Sequence, residues 1–137
     1  MQVTEVRVHL ETRPDPVNQF VLAFASVTLD SIFKVHDLRV LTDPQDRPYV
    51  TMPNRKIVDR CPQCSASNPL RAKYCNECGI RLADNRGRPN IRDGKIRFYT
   101  DVAHPTDSDL RSMLSSKVLA QYQVEKEIAF EAKSKAI

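Results

Sequence analysis

The chain has no apolar run near the roughly 18 residues that a membrane-spanning helix needs, which excludes a helical membrane protein. Its first residues, Met1-Gln2-Val3-Thr4-Glu5, lack the basic and apolar stretches of a secretory signal, so a reducing cytoplasm is the expected compartment. There are only three glycines and no phosphate-binding loop. Tryptophan is absent and no aromatic-rich strand of the single-strand-binding kind stands out, although Phe98 and Tyr99 could stack if exposed. No serine or cysteine nucleophile is tied by motif to His36 or His104, and an imidazole bonded to backbone is the better reading of His104. An enzyme is therefore not expected. What remains, 137 residues at 41% hydrophobic, suffices for one modest core, or a small domain with a mini-module.

Cysteine is also absent everywhere except one short stretch, Cys61-Pro-Gln-Cys64 and Cys75-Asn-Glu-Cys78. Two thiols three positions apart on a tight turn can bite one ion, and two such turns complete a tetrahedral four-sulfur shell. One structural Zn²⁺ held by Cys61, Cys64, Cys75 and Cys78 is the expected cofactor. Disulfides, a redox dithiol and a rubredoxin-type iron are the alternatives. A zinc saturated by four thiolates leaves no position for water or substrate, which argues against metal-assisted hydrolysis.

The formal net charge of +4 is unevenly spread. Residues 54–97 hold eleven Lys/Arg against four Asp/Glu, and the remainder ten against thirteen, so a local +7 sits on a body of −3. Such a basic segment is a candidate nucleic-acid surface, with a merely solvated surface as the plainer reading. Arg55, Lys56, Arg71, Lys73, Arg81, Arg86, Arg88 and Arg92 are the candidate phosphate contacts.

Val6, Val8 and Leu10 alternate with polar residues between Val3 and Glu11, as in a half-buried strand. Arg13-Pro14-Asp15-Pro16 is a break, and residues 20–30 read as a central strand. Asp30-Ser31 is a hairpin turn into a strand over 33–41, and Tyr49 to Met52 make a short fourth strand. The pattern stops at about Asn54 and resumes at Lys95 to Asp101, which places an insertion between two strands of one sheet. After His104-Pro105 the chain turns helical, with Thr106 as N-cap. Leu110, Met113, Leu114, Val118, Val124 and Ile128 form the helix's apolar stripe, and the end frays from about 131. The expected fold class is α+β, a small antiparallel sheet with a C-terminal helix, interrupted by an inserted zinc ribbon. Residues 1–56 and 95–137 make the discontinuous domain and 57–94 the ribbon.

Several segments carry a family resemblance: Val3-Thr4-Glu5-Val6-Arg7-Val8, Ala25-Ser26-Val27-Thr28-Leu29-Asp30, Val35-His36-Asp37-Leu38-Arg39-Val40, Val50-Thr51-Met52-Pro53 and Asp101-Val102-Ala103-His104-Pro105. In this order they resemble the SpoVG family, bacterial proteins named for stage V sporulation and septation. The resemblance implies a usually dimeric regulator that binds DNA, and in some members RNA, without catalysis. The insert, CPQCSASNPLRAKYCNECGIRL, resembles short bacterial zinc ribbons, with Ser65 in place of the usual glycine. That second resemblance implies a turn at Asn68-Pro69, Tyr74 beside the metal and Leu82 closing the little core. Ribbons of this kind bind nucleic acid or protein. The leading expectation is a ribbon that extends a basic nucleic-acid surface. The alternative is an adaptor whose ribbon recruits a protein partner.

Overall fold

The computed structural model describes residues 1–11, 20–87, 89 and 91–135. The expected break at Arg13 to Pro16 lies outside them. The chain forms two compact units, Met1–Pro53 with Ala103–Ile137, and Asn54–Val102. Residues 54–56 and 95–101, expected with the flanking domain, group with the insert.

The first unit is a meander of four antiparallel strands, β1 (Val3–Leu10), β2 (Val21–Leu29), β3 (Phe33–Thr42) and β4 (Pro48–Thr51), with α1 (Ser108–Lys135) after it. Strict alternation along β2 puts Val21, Ala23, Ala25, Val27 and Leu29 on the buried face and leaves Leu22, Phe24, Ser26 and Thr28 half-buried on the other. The buried face joins Val8, Leu38, Val40 and Met52 to Leu114, Val118 and Tyr122 of the helix. Asp30 and Ser31 make the β2–β3 turn at φ 50° and 58°, and Ile32 N–H donates to the Leu29 carbonyl at 3.1 Å. Two left-handed residues in succession give the turn a twist that matches its strands. In the next loop the Asp43 carboxylate accepts the Arg47 and Gln45 N–H groups at 2.8 and 2.9 Å. The Arg47 N–H in particular holds Asp43 below the usual carboxylate range.

The helix departs from the expected pattern in three ways. Its N-cap is Asp107, whose Oδ2 accepts Leu110 N–H at 3.2 Å, one residue beyond Thr106. Its core-facing residues are the buried Leu114, Val118 and Tyr122, with the half-buried Leu110 extending their i, i+4 row and Leu119 packing beside it, whereas Met113, Val124 and Ile128 are exposed. A row of that kind suits a helix lying along a sheet rather than one wrapped on several sides. Finally, helix continues to Lys135, past the expected fraying point.

The second unit is built of three short ribbons: β5 (Asn54–Lys56) with β10 (Tyr99–Asp101), β6 (Val58–Arg60) with β7 (Ser67–Pro69), and β8 (Ile91–Arg92) with β9 (Lys95–Ile96). Lys95 to Asp101 thus does not rejoin the main sheet. Asp93-Gly94, at φ 53° and 75°, folds Lys95 and Ile96 back onto Arg92 and Ile91. An Asp-Gly pair is a strong hairpin signal, and it prevails over the alternation around it. Tyr99 then pairs with Lys56, and Ile57 N–H donates to the Phe98 carbonyl at 2.8 Å.

Candidate metal centre and its basic surroundings

Each cysteine pair sits on a turn closed by backbone bonds of the same pattern. In the first, Cys61 N–H donates to Ala66 O (2.8 Å) and Ser65 N–H to Cys61 O (2.9 Å). In the second, Cys75 N–H donates to Ile80 O (2.9 Å) and Gly79 N–H to Cys75 O (3.1 Å). Ser65 and Gly79 take equivalent left-handed positions, at φ 65° and 80°. That conformation suits glycine; at Ser65 the chain adopts it with a side chain attached.

The turns point their sulfurs at a common centre. Cys61 Sγ lies 3.6 Å from Cys78 Sγ, and Cys64 Sγ 3.6 Å from Cys75 Sγ. All four sulfurs fall within 4.8 Å of one another and can share one metal ion. Backbone N–H groups turn toward them: Gln63 to Cys61 Sγ at 3.4 Å, Glu77 and Cys78 to Cys75 Sγ at 3.4 and 3.5 Å. The Cys78 N–H, aided by the Asn68 amide and Glu77 N–H, outweighs burial and draws the Cys75 thiol down to about 5. For Cys78 the Ile80 N–H acts in the same direction, but burial and the neighbouring sulfurs overcome it and push the thiol up to about 12. Four sulfurs this close cannot all be thiolates without a cation among them, which is the electrostatic demand of a metal site.

Asn68 joins the two turns, a role sequence reasoning missed by taking Asn68-Pro69 for a turn. It lies in β7, fully buried, the largest polar side chain so placed. Its amide donates to Ala66 O (3.2 Å) and Cys75 Sγ (3.5 Å), and its Oδ1 accepts Asn76 N–H at 2.8 Å. The sequence shows only an asparagine four residues after Cys64, and nothing local marks its amide as the link between the turns. Leu82, 3% exposed, packs with Cys61 and Cys75 as expected. Tyr74 does not pack beside the sulfurs; it is 61% exposed and lies under the Arg81 guanidinium, 5.4 Å from its ring centre.

The basic candidates separate into distinct roles. Arg55 and Lys56 are exposed on β5, and Arg71 and Lys73 are exposed between the cysteine turns. Arg71 rests over the Phe98 ring at 4.2 Å. Arg81 also bonds Lys73 O at 3.3 Å and pairs with Asp84 at 3.1 Å. Arg86 is withdrawn from solvent, its side chain 8% exposed. Its guanidinium donates to Ala72 O (2.9 Å), Pro69 O (3.1 Å), Asn68 O (3.3 Å) and Asp59 Oδ2 (3.3 Å). Those donors hold the strap between the cysteine turns, so the phosphate contact expected of Arg86 gives way to an internal clamp. Arg88 lies outside the described residues, and Arg92 belongs to β8. His104 Nδ1 approaches Pro105 O at 3.2 Å, the backbone bond expected of it.

A four-stranded meander packed on one helix, with a four-cysteine module between β4 and α1, defines a small α+β protein bearing a candidate metal site. The chain belongs to the SpoVG family, whose model matches residues 1–124. A Listeria monocytogenes protein (serotype 4b, strain F2365) that carries the septation-protein name SpoVG 2 is 31% identical over 123 residues, 90% of this chain and 79% of its own length. An Oceanobacillus iheyensis protein with the septation name SpoVG is 32% identical over 126 residues, covering 90% and 84%. A third so named, from Thermoanaerobacter sp. (strain X514), is 27% identical over 127 residues, covering 93% and 92%. Among the described residues no helix is long and apolar enough to cross a membrane.

Proposed function

We propose that this SpoVG-family chain is a non-catalytic, dimeric regulator that binds nucleic acid, DNA foremost and RNA as a second ligand, through the basic module at 54–102. The observation that carries the reading is the set of exposed cations Arg55, Lys56, Arg71 and Lys73 on a segment of local charge +7. Phosphates bind such side chains by releasing counterions, so affinity should fall steeply with salt. Fluorescence anisotropy on labelled duplex DNA between 50 and 300 mM salt tests it, with Arg55, Lys56, Arg71 and Lys73 changed together to Gln. The log–log slope should flatten by about 0.9 for each phosphate that is no longer neutralised. An unchanged slope would remove the module from the nucleic-acid surface.

The metal proposed for the four cysteines is one structural Zn²⁺. Zn–S bonds of about 2.3 Å in a tetrahedron set sulfur–sulfur edges of roughly 3.8 Å. The two 3.6 Å sulfur pairs lie close to that edge. Elemental analysis should return one zinc per chain, and a coloured iron protein would refute the assignment. The adaptor reading draws support from the exposed Tyr74, Ile91 and Ile96, which suit a protein contact. Retained salt dependence in the four-fold variant, with loss of a co-purifying protein on Tyr74→Ser, would favour it.

A further inference from the structure

A cleft of about 240 Å³ opens in the second unit, lined by Leu70, Ile96, Phe98 and Gly87, with Arg71 and Lys73 also on its wall. Gly87 leaves room for Ile96; a Cβ there would stand 2.7 Å from Ile96 Cγ2. The one carboxylate on the wall, Asp84, is engaged by Arg81 at 3.1 Å, which leaves Arg71 and Lys73 as the cleft's unbalanced charges. Phe98 is half-buried and carries the exposed Arg71 guanidinium over its ring at 4.2 Å. A slot lined about equally by polar and apolar surface, with an aromatic wall, a flat cation on that wall and a second cation beside it, is complementary to a planar ring that carries a phosphate. Bases in a duplex present only their edges, and their faces are already stacked.

We infer that this cleft takes an unpaired base of a nucleic-acid strand, stacked against the Phe98–Arg71 pair, with Lys73 on an adjoining phosphate. The inference rests on the nucleic-acid reading above and adds the form of ligand that the module accepts. A base stacked on an aromatic or guanidinium plane adds roughly tenfold to affinity, whatever its sequence.

The test is anisotropy of the full chain with two labelled 12-nucleotide probes, one a mixed-sequence single strand and the other its abasic counterpart with the same phosphates. The base-bearing strand should bind about tenfold more tightly. In Phe98→Leu, and separately in Arg71→Lys, that ratio should fall toward one. Arg71→Lys is a surface change that keeps the charge, so it reads stacking even if Phe98→Leu disturbs the fold. Equal binding of both probes by the natural chain, with the salt dependence present, overturns the stacking inference alone. So does a ratio that survives Arg71→Lys. Failure of both probes and of duplex DNA to bind overturns the nucleic-acid reading as well.

Discussion

Asn68 and Ser65 show how single side chains set the geometry of the cysteine turns. Asn68→Ala would take the acceptor from the Asn76 N–H and remove a donor from Cys75 Sγ. Asn76 is an exposed residue whose N–H can turn to water, so the cost is that of ordinary hydrogen bonds, about 0.5–1.5 kcal/mol each. Chelator competition on the purified chain should accordingly show metal released at lower chelator concentration. Ser65 carries its side chain at φ 65°, a conformation that disfavours residues with a Cβ by roughly 1–2 kcal/mol. Ser65→Gly should recover part of that, about 0.5 kcal/mol net of glycine's greater entropy when unfolded, and raise the melting temperature. Gly79→Ala is the converse: no atom lies within 4 Å of the added Cβ, so its destabilisation would come from φ +80° alone. The resemblance to zinc ribbons made the Ser65 departure visible. The hydrogen bonds of Asn68 were not, because two of its three partners, Cys75 and Asn76, belong to the other cysteine turn.

At the scale of elements, α1 and the strap between the cysteine turns each rest on a few residues. Leu114→Ala empties a site 4% exposed and should cost about 2–5 kcal/mol, whereas Ile128→Ala, at a position 55% exposed, should change stability by less than about 0.5 kcal/mol. Thermal denaturation of the two variants checks which stripe faces the sheet. Both residues fit a helical repeat, so periodicity placed them together; only the position of the sheet separates them. Arg86→Met keeps the stem and removes every guanidinium donor to Asn68, Pro69, Ala72 and Asp59. Charge-assisted bonds of that kind contribute about 1.5–3 kcal/mol, so the module should melt earlier. Its salt slope on duplex DNA should stay as in the natural chain, and a flattened slope would return Arg86 to the phosphate contacts.

At the scale of the whole molecule, the division into a body of net charge −2 and a module of +6 over 54–102 separates two sources of stability. The body has a sheet-and-helix core. In the module the buried cluster is Cys61, Cys75 and Leu82, too little apolar surface to hold such a segment folded without a cross-link or metal. Binding of the proposed zinc must drive protons from thiols. Since the module needs its metal to fold, the thiols of the metal-free chain lie in the ordinary cysteine range, about 8.5, and are mostly protonated below pH 8. Metal affinity should therefore rise with pH, about tenfold per unit for each thiol still protonated. Competition titrations at pH 6, 7 and 8 measure this directly. A flat profile would contradict a site in which Cys78 becomes a thiolate.

By itself the sequence determined the alternating strands, the Asp30-Ser31 turn and the paired cysteine turns, because each depends on residues close together along the chain. The family segments, in their order along the chain, carried the fold class. The tertiary structure decided what depends on distant partners. It withdrew Arg86 behind four acceptors and buried Asn68 between two turns. It also took Lys95 to Asp101 out of the main sheet through the Asp93-Gly94 turn. It set Arg71 over Phe98, a pairing 27 residues apart in sequence and 4.2 Å apart in space. A charge count treats all arginines alike. Packing distinguishes them, because a buried guanidinium must satisfy its donors within the protein while an exposed one keeps them for a ligand.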